Sequence, residues 1–440
     1  MSLTTPDSIR QLQRKLYMKA KKEPSFRFYC LYDKVYRQDI LEHAYRRVRA
    51  NQGAPGVDGV SFEDIERQGL EGWLTALREE LHAKTYKPAP VRRKMIEKTG
   101  GGQRPLGIPT IRDRVAQMAV KLVLEPIFEA DFEDCAYGYR PGRSALPAVK
   151  EVHQKLKDGY TDVVDADMSK YFDRIPHYEL LQCVARRVCD RWILKLIKMW
   201  LKVPVEDKDE HGRPRMTGGK NNKLGTPQGG VISPLLANIY MHRYLKTWRI
   251  RNKGAQFRAF IVNYADDFVI LSRGRARQAL EWTRGVMEKI GLTMNETKTC
   301  LRDARQESFN FLGYTFGPTY SPRTGHRYLA VQPSKKSVQR LKDRVRETLA
   351  QGVVAPWPEV ADNLNRVLKG WDNYFSYGTR TKTCRAVDRF VACAVRGFLR
   401  RRHKVPSRGT RRFSITTIHS EWKIHKLSPL YNSAPSTASM

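Results

Sequence analysis

The spacing of apolar residues changes character near residue 330. Before that point, segments with helical spacing alternate with short runs rich in Val, Ile and Phe, which predicts a mixture of helices and strands. From Ser334 onward, apolar residues recur every three or four positions through three successive segments, as in Leu341, Val345 and Leu349. The pattern therefore predicts an α+β region followed by a helical domain, with a boundary between residues 320 and 334.

Two apolar runs in the α+β region flank a short polar stretch. Residues 260–263 and 268–271 border Tyr-Ala-Asp-Asp, a pattern typical of a β-hairpin with Asp266 and Asp267 at its tip. Asp favours turns because it hydrogen-bonds its own backbone, so a solvated turn is one interpretation. The other is a rigid pair of carboxylates that binds Mg²⁺.

A third carboxylate follows another predicted strand. Residues 161–167 have strand character and end in Asp165-Ala166-Asp167. If this strand neighbours the hairpin, Asp167 would meet Asp266 and Asp267 at one edge of a sheet. Three such carboxylates could hold two Mg²⁺ ions roughly 4 Å apart, an arrangement suited to phosphoryl transfer to a 3′-hydroxyl.

A basic hairpin is predicted for residues 91–111, with three glycines at its tip. Its arms carry Arg92, Lys98 and Arg104, whose ionised donors could bind the phosphates of a nucleoside triphosphate. The alternative is a solvated edge hairpin that its charges protect from aggregation.

A glycine pair precedes a predicted helix further along the chain. Gly229 and Gly230 would let the backbone approach a ligand closely. The helix should begin with Ser233 as its N-cap and run to about Trp248.

The charge of the chain points to polyanionic partners. Its 440 residues contain 80 Lys and Arg against 45 Asp and Glu, a net charge of +35, which attracts nucleic acid. No run of 18 apolar residues and no signal peptide is present, so we expect a soluble, cytoplasmic protein without a membrane partner. The seven cysteines are scattered and include no Cys-x-x-Cys pair, so neither a disulfide framework nor a zinc finger is indicated.

Cations are concentrated in the helical region and after it. A merely solvated face is the alternative, but the overall charge favours contact with phosphates. The predicted nucleic-acid contacts are Lys335, Lys336, Arg340, Arg400, Arg401, Arg402, Lys404, Arg408, Arg411 and Arg412.

Taken together, the motifs resemble, in order, those of bacterial group II intron reverse transcriptases, the intron-encoded maturases. The resemblance rests on six blocks, which are residues 51–59, 104–110, 137–144, 165–173, 226–238 and the Tyr-Ala-Asp-Asp hairpin, and on Gly-Trp-Asp-Asn-Tyr-Phe at 370–375 in the maturase thumb, domain X. It implies a right-hand polymerase in which Asp167, Asp266 and Asp267 bind two Mg²⁺ ions. By the same resemblance, the incoming nucleotide and template would be contacted by Arg92, Lys98, Arg104, Phe172, Gln228, Gly229 and Lys298, with Phe172 excluding ribonucleotides.

The chain departs from the family pattern in two places. Glu97 occupies a position usually held by proline, next to the predicted contact at Lys98. No cysteine-pair nuclease domain follows the thumb, which resembles family members that lack second-strand cleavage. The DNA primer would then have to be a cleaved or nascent strand.

The expected organisation has four parts. A basic extension (1–30) precedes the fingers and palm (31–325), a helical thumb (334–402) and a short basic tail (403–440) that contacts DNA. The expected function is RNA-directed DNA synthesis and splicing by a maturase, with intron RNA, target DNA, an RNA/DNA duplex and deoxynucleoside triphosphates as partners, in the bacterial cytoplasm or on the nucleoid. Alternatives are a domesticated relative in repair or defence, and an RNA-binding splicing factor with an idle polymerase.

Overall fold

The structure is a computed structural model that describes residues 4–97, 103–208, 213–227, 229–321 and 324–428. Its helices are α1 Asp7–Lys22, α2 Tyr32–Val35, α3 Gln38–Ala50, α4 Phe62–Gln68, α5 Leu70–His82, α6 Ile111–Glu129, α7 Ala145–Lys157, α8 Tyr171–Arg174, α9 His177–Ala185, α10 Arg191–Leu201, α11 Ser233–Ile250, α12 Lys253–Gln256, α13 Ala276–Lys289, α14 Lys335–Gln351, α15 Trp357–Tyr374, α16 Thr381–Arg402 and α17 Ile415–Ser420. Its strands are β1 Val91–Glu97, β2 Gln103–Ile108, β3 Asp162–Asp167, β4 Pro204–Lys208, β5 Pro214–Gly218, β6 Ala259–Tyr264, β7 Asp267–Ser272, β8 Cys300–Asp303, β9 Phe309–Phe311, β10 Tyr314–Tyr320 and β11 Arg327–Pro333.

The chain divides into two compact units. The first contains the described residues up to Ser144 together with Ala166–Phe268 and Arg277–Thr299. The second contains Ala145–Asp165, Val269–Ala276 and the described residues from Cys300 onward.

The hairpin strands belong to a four-stranded sheet with the order β6-β7-β3-β8. Strand β7 is buried from Phe268 to Ser272, as expected for a run of apolar residues covered on both faces. Strand β3 is the direct neighbour of β7, which confirms the predicted proximity of the two strands. On its other side β3 pairs antiparallel with β8, with Val163 opposite Arg302.

The predicted basic hairpin is confirmed and is part of a larger sheet with the order β2-β1-β4-β5. Strands β1 and β2 are antiparallel, with Arg92 opposite Ile108 and Ile96 opposite Arg104. Strand β4 runs parallel to β1 and antiparallel to β5. The sequence did not reveal β4 and β5, since these residues are mostly polar and show no apolar alternation.

The basic amino-terminal segment is an ordered part of the first unit. Helix α1 buries Ile9, Leu16 and Ala20, which share one helical face. It is anchored to α6, where Gln13 Nε2 donates a hydrogen bond to the Leu122 carbonyl oxygen at 3.0 Å. The spacing of its three apolar residues is the signal that could have identified this helix.

The helices from α14 onward share one core in the second unit. Helix α14 begins after Ser334, whose hydroxyl oxygen accepts a hydrogen bond from the Ser337 amide, as an N-cap does. The core also contains buried side chains from the predicted tail, namely Phe413, Ile418, Ile424 and Leu427. Residues 413–427 therefore pack as part of the helical domain.

No helix among the residues with described structure is both long and apolar enough to cross a membrane.

Candidate active site

The acidic hairpin has a two-residue turn formed by Ala265 and Asp266, between the last residue of β6 and the first of β7. Ala265 has a φ of 61°, in the left-handed region that alanine seldom adopts. A positive φ at the first turn residue matches the right-handed twist of the paired strands. The surrounding structure must therefore hold this turn in place at a cost of about 1 kcal/mol or more.

A neighbouring loop supplies that support. The Tyr137 amide donates to the Asn263 carbonyl oxygen at 2.8 Å, and the Asn263 amide donates to the Cys135 carbonyl oxygen at 2.8 Å. The Asn263 side chain also donates to the Ala265 carbonyl oxygen at 2.9 Å. Because these bonds hold the strand and the turn together, the Tyr137 block braces the hairpin.

Gly138 permits this close approach. A Cβ atom at Gly138 would lie 2.5 Å from the Ala265 amide nitrogen, closer than van der Waals contact allows. The Gly138 carbonyl oxygen accepts a hydrogen bond from Asn238 Nδ2 of helix α11 at 2.8 Å. The loop therefore links the glycine-preceded helix to the acidic turn, a connection that the sequence motifs did not predict.

Asp167 ends strand β3 and is held by the segment that follows α13. Its Oδ2 atom lies 3.1 Å from Lys298 Nζ and accepts a hydrogen bond from Asn295 Nδ2 at 3.1 Å. The Asn295 amide also donates to the Asp167 carbonyl oxygen at 2.8 Å. The Asp167 side chain remains 41% exposed, so the carboxylate is accessible to solvent.

The sequence assigned Lys298 to the nucleotide, and the structure brings its ammonium group to Asp167. Asn295 was not predicted, because an isolated asparagine in a turn-rich segment carries no distinctive signal.

The second predicted acid lies close to the residues that follow Asp167. Burial raises the pKa of Tyr171 well above its ordinary value, and the negative charge of Asp266 adds to that shift. The Tyr171 hydroxyl donates to the Ala237 carbonyl oxygen at 2.6 Å. The charge of Asp266 therefore acts on the Tyr171 side chain of helix α8, four residues beyond Asp167.

In the described parts of the chain, no group of three or more His, Cys, Asp or Glu side chains is arranged to hold a metal ion. The Asp167 carboxylate instead has Lys298 and Asn295 as its partners. The chemistry of the donors fits a hard divalent cation, since carboxylate oxygens are the ligands that Mg²⁺ prefers. The Lys298 ammonium would compete with such a cation for the Oδ2 atom of Asp167.

A cavity of ~680 Å³ in the first unit contains the predicted gate residue Phe172. The ring of Phe172 is 7% exposed and lies edge-on to Tyr139, with 6.3 Å between the ring centroids. Leu106, Gly229 and Ser233 also line this cavity. The structure thus brings the basic hairpin, the glycine block and the gate together around one space of nucleotide size.

Gly229 is required by its surroundings. Its φ of 113° is unfavourable for other residues, and a Cβ atom there would collide with the Gly107 carbonyl oxygen of β2. Ser233 is the first residue of α11 rather than its N-cap, so that prediction was wrong by one position. Its hydroxyl instead donates to the Pro227 carbonyl oxygen at 2.9 Å, which stabilises the turn before the helix.

The other predicted nucleotide contacts are only partly placed. Arg92 lies in β1, and the backbone of Arg104 lies in β2 opposite Ile96. Lys98 and Gln228 fall outside the described residues. Glu97, the unusual residue of this hairpin, lines a second cavity of ~620 Å³ next to Gly107 and Gly229.

The predicted nucleic-acid contacts of the helical domain are all exposed. They are Lys335, Lys336, Arg340, Arg400, Arg401, Arg402, Lys404, Arg408, Arg411 and Arg412. They extend from the start of α14 to the end of α16 and the segment after it, within the second unit.

Comparison with known proteins gives two family matches. Residues 96–316 match the family model described as reverse transcriptase (RNA-dependent DNA polymerase), and residues 338–414 match the group II intron maturase-specific domain. Among curated proteins, the chain is 34% identical over 368 residues to protein YkfC of Escherichia coli. The aligned region covers 75% of this chain and 93% of YkfC.

Two further relatives are products of introns by name. The chain is 36% identical over 216 residues to the group II intron-encoded protein LtrA of Lactococcus lactis, covering 49% of this chain and 34% of LtrA. It is 25% identical over 423 residues to an uncharacterized 91 kDa protein in the cob intron of Schizosaccharomyces pombe, covering 78% of this chain and 50% of that protein. The chain thus spans half or less of these two relatives.

Proposed function

Because the chain belongs to the group II intron reverse transcriptase and maturase family, we propose that it copies intron RNA into DNA and assists splicing of that RNA. The observation that carries the proposal is the strand order β6-β7-β3, in which the strand that ends at Asp167 is the direct neighbour of the strand that begins at Asp267. The cavity around Phe172 in the same unit offers a place for the incoming nucleotide.

Reverse transcriptases generally use divalent metal ions. We assign Asp167, Asp266 and Asp267 to the binding of two Mg²⁺ ions, supported by their positions at the ends of neighbouring strands. The bound ions would stabilise charge on the attacking and leaving oxygens during nucleotidyl transfer. The brace around Gly138 would keep the acidic turn rigid while the ions bind.

The remaining site residues would bind and orient the nucleotide. Phe172 would press against the sugar and exclude a 2′-hydroxyl, supported by its buried ring in the cavity wall. Gly229 would allow the backbone to approach the base pair. We assign contact with the triphosphate to Arg92, Lys98 and Arg104, and contact with the template to Gln228.

The maturase role is assigned mainly to the helical domain. Its exposed cations, listed above, would bind phosphates of the intron RNA and of target DNA, and folded RNA shape would add selectivity. The nucleic-acid partners, including the RNA/DNA duplex, are part of this proposal.

A primer-extension assay tests the polymerase role. Wild-type protein should extend a DNA primer on an RNA template with deoxynucleotides and Mg²⁺. Replacing both hairpin acids, Asp266→Asn with Asp267→Asn, should abolish extension, since the substitutions keep the side-chain size but remove the charge. The matched control Asp343→Asn with Asp362→Asn changes exposed acids of the helical domain and should retain activity.

Splicing of the intron RNA should be measured with the same variants. A hairpin variant that splices but does not extend supports separate polymerase and maturase roles. Extension at the wild-type rate by that variant would contradict the proposed polymerase site.

A further inference from the structure

The first unit contains a third cavity, on the side of helix α11. A cavity of ~640 Å³ is formed by α11, by the end of α9, by residues 130–134 that follow α6, and by Lys21 of α1. None of the residues predicted to bind nucleotide or metal lines it. The lining is rich in cations, namely Lys21, Arg186, Arg187, Arg243, Lys246 and Arg249.

The acids of this cavity already have arginine partners. Asp131 lies 3.0 Å from Arg187 Nε, and Glu133 lies 2.8 Å from Arg249 Nε. The third acid, Asp134, lies 2.9 Å from a terminal nitrogen of Arg143. Asp131 also interacts electrostatically with Lys21 and Lys246, but the six lining cations outnumber the three lining acids, so the lining keeps a net positive charge.

Four of the lining cations form no ion pair within the described part of the chain. They are Lys21, Arg186, Arg243 and Lys246. Lys21 Nζ donates to the Ala130 carbonyl oxygen at 3.2 Å, and one terminal nitrogen of Arg243 donates to the Tyr240 hydroxyl at 3.2 Å. Both partners are neutral, so the positive charge persists. A concave site with four such cations attracts anions more strongly than a flat surface would.

A buried histidine reports the same electrostatic environment. Nδ1 of His242 is buried and has no hydrogen-bond partner among the residues with described structure. Burial and the nearby charges of Lys246, Arg249, Arg140 and Arg186 lower the pKa of His242 to about 4. The ring lies edge-on to Phe132, with 5.8 Å between the ring centroids.

We propose that this cavity binds a backbone phosphate of a single-stranded RNA segment, using Arg186, Arg243 and Lys246 as its principal contacts. Guanidinium groups bind phosphate oxygens through paired, charge-assisted hydrogen bonds, and two arginines with a lysine suit that chemistry. The inference deepens the RNA-binding role proposed above, on which it rests, by adding a contact outside the helical domain.

Helical spacing explains how α11 supplies two of these contacts. His242, Arg243 and Lys246 lie within one turn of each other, so they project from one face of the helix. Arg186 caps the end of α9 and completes the site from a second element. About one turn before His242, α11 also contributes Asn238 to the hairpin brace, so the helix connects the two functional regions within the first unit.

The test uses full-length protein and a 12-nucleotide unstructured RNA, with affinity measured by fluorescence anisotropy at several salt concentrations. The double variant Arg186→Gln with Arg243→Gln should bind at least tenfold more weakly. Its salt dependence should also be less steep by about 0.7, since contact with one phosphate of a single strand is lost. Lys246→Gln is a milder variant for the case in which the double variant is unstable in urea.

The matched control is Arg78→Gln with Arg277→Gln, which removes two exposed helical arginines of the same unit. Its affinity should fall less than threefold. Equal losses in the control and the cavity variant would overturn the proposal, because the effect would then reflect net charge alone. Failure of the wild-type protein to bind any RNA would instead refute the proposed RNA-binding role itself.

A second readout identifies the bound group. In protein labelled at histidine, RNA should shift the imidazole signal of His242, and the cavity variant should lose that shift. A shift produced by inorganic phosphate but not by RNA would overturn the assignment to a nucleic-acid strand.

Discussion

Substitution Gly138→Ala should disable the acidic hairpin without touching an acidic residue. The added methyl carbon would lie 2.5 Å from the Ala265 amide nitrogen and 3.0 Å from the Tyr264 carbonyl carbon. Both contacts are to backbone atoms, so no side-chain rotation relieves them. Since non-bonded atoms of this kind settle at about 3.5 Å, the loop or the turn must move by about 1 Å.

The size of the effect follows from that displacement. Overpacking of a buried site costs about 1–3 kcal/mol of unfolding free energy. A shift of about 1 Å in catalytic geometry lowers the rate about 100-fold. We therefore expect a modest loss of stability and a large loss in the rate of nucleotide addition.

Single-turnover primer extension and urea unfolding measure the two effects separately. The matched control is Gly72→Ala in helix α5, where an added Cβ has no neighbour within 4 Å. This control variant should keep full activity, and its free energy of unfolding should rise by about 0.5–1 kcal/mol, because alanine favours a helix more than glycine does. A Gly138→Ala protein that is less stable but extends primers at the wild-type rate would refute the bracing role of the loop.

Three further predictions concern single side chains. Phe172→Val should raise ribonucleotide incorporation roughly 10- to 100-fold relative to deoxynucleotide incorporation, because removing ring volume from the cavity wall relaxes exclusion of the 2′-hydroxyl. The ratio of the two kcat/KM values measures this effect, and an unchanged ratio would contradict the role of Phe172 as a gate. Lys298→Ala should change the free energy of unfolding by less than about 1 kcal/mol, because its ion pair with Asp167 is exposed. The same substitution should lower the Mg²⁺ concentration that half-saturates primer extension, because it removes a cation that competes for Asp167. Asp388→Ala should lower the free energy of unfolding, measured in urea, by about 2–3 kcal/mol, since Asp388 accepts hydrogen bonds from the Leu427 and Ser428 amides at 2.9 Å each. The control Asp343→Ala, at an exposed acid, should lower it by at most about 0.5 kcal/mol.

Local patterns along the chain determined much of this molecule. The acidic hairpin, the basic hairpin and the helices of the carboxy-terminal domain were predicted correctly because each depends on the spacing of apolar residues over a few turns or strands. The family motifs also identified Phe172 and Lys298, which the structure places in the cavity wall and beside Asp167.

Strands without an apolar alternation escaped prediction. Residues of β4 and β5 are mostly polar, and the pairing of β4 with β1 is a long-range contact that leaves no local signal. The packing of Phe413 and Leu427 into the core of the helical domain was missed for the same reason. Which distant segment covers an apolar residue depends on the whole fold.

The order of the motifs thus identified the residues that would carry out the reaction, whereas only tertiary contacts determined how those residues are positioned. Gly138 is an ordinary turn glycine in the sequence, and only its approach to Ala265 reveals a brace. Arg186 and Arg243 are two of many arginines, and only the packing of α9 against α11 places them around one cavity. Spacing along a chain specifies which side chains share a face of one element, whereas the meeting of faces from distant elements depends on shape and charge in three dimensions.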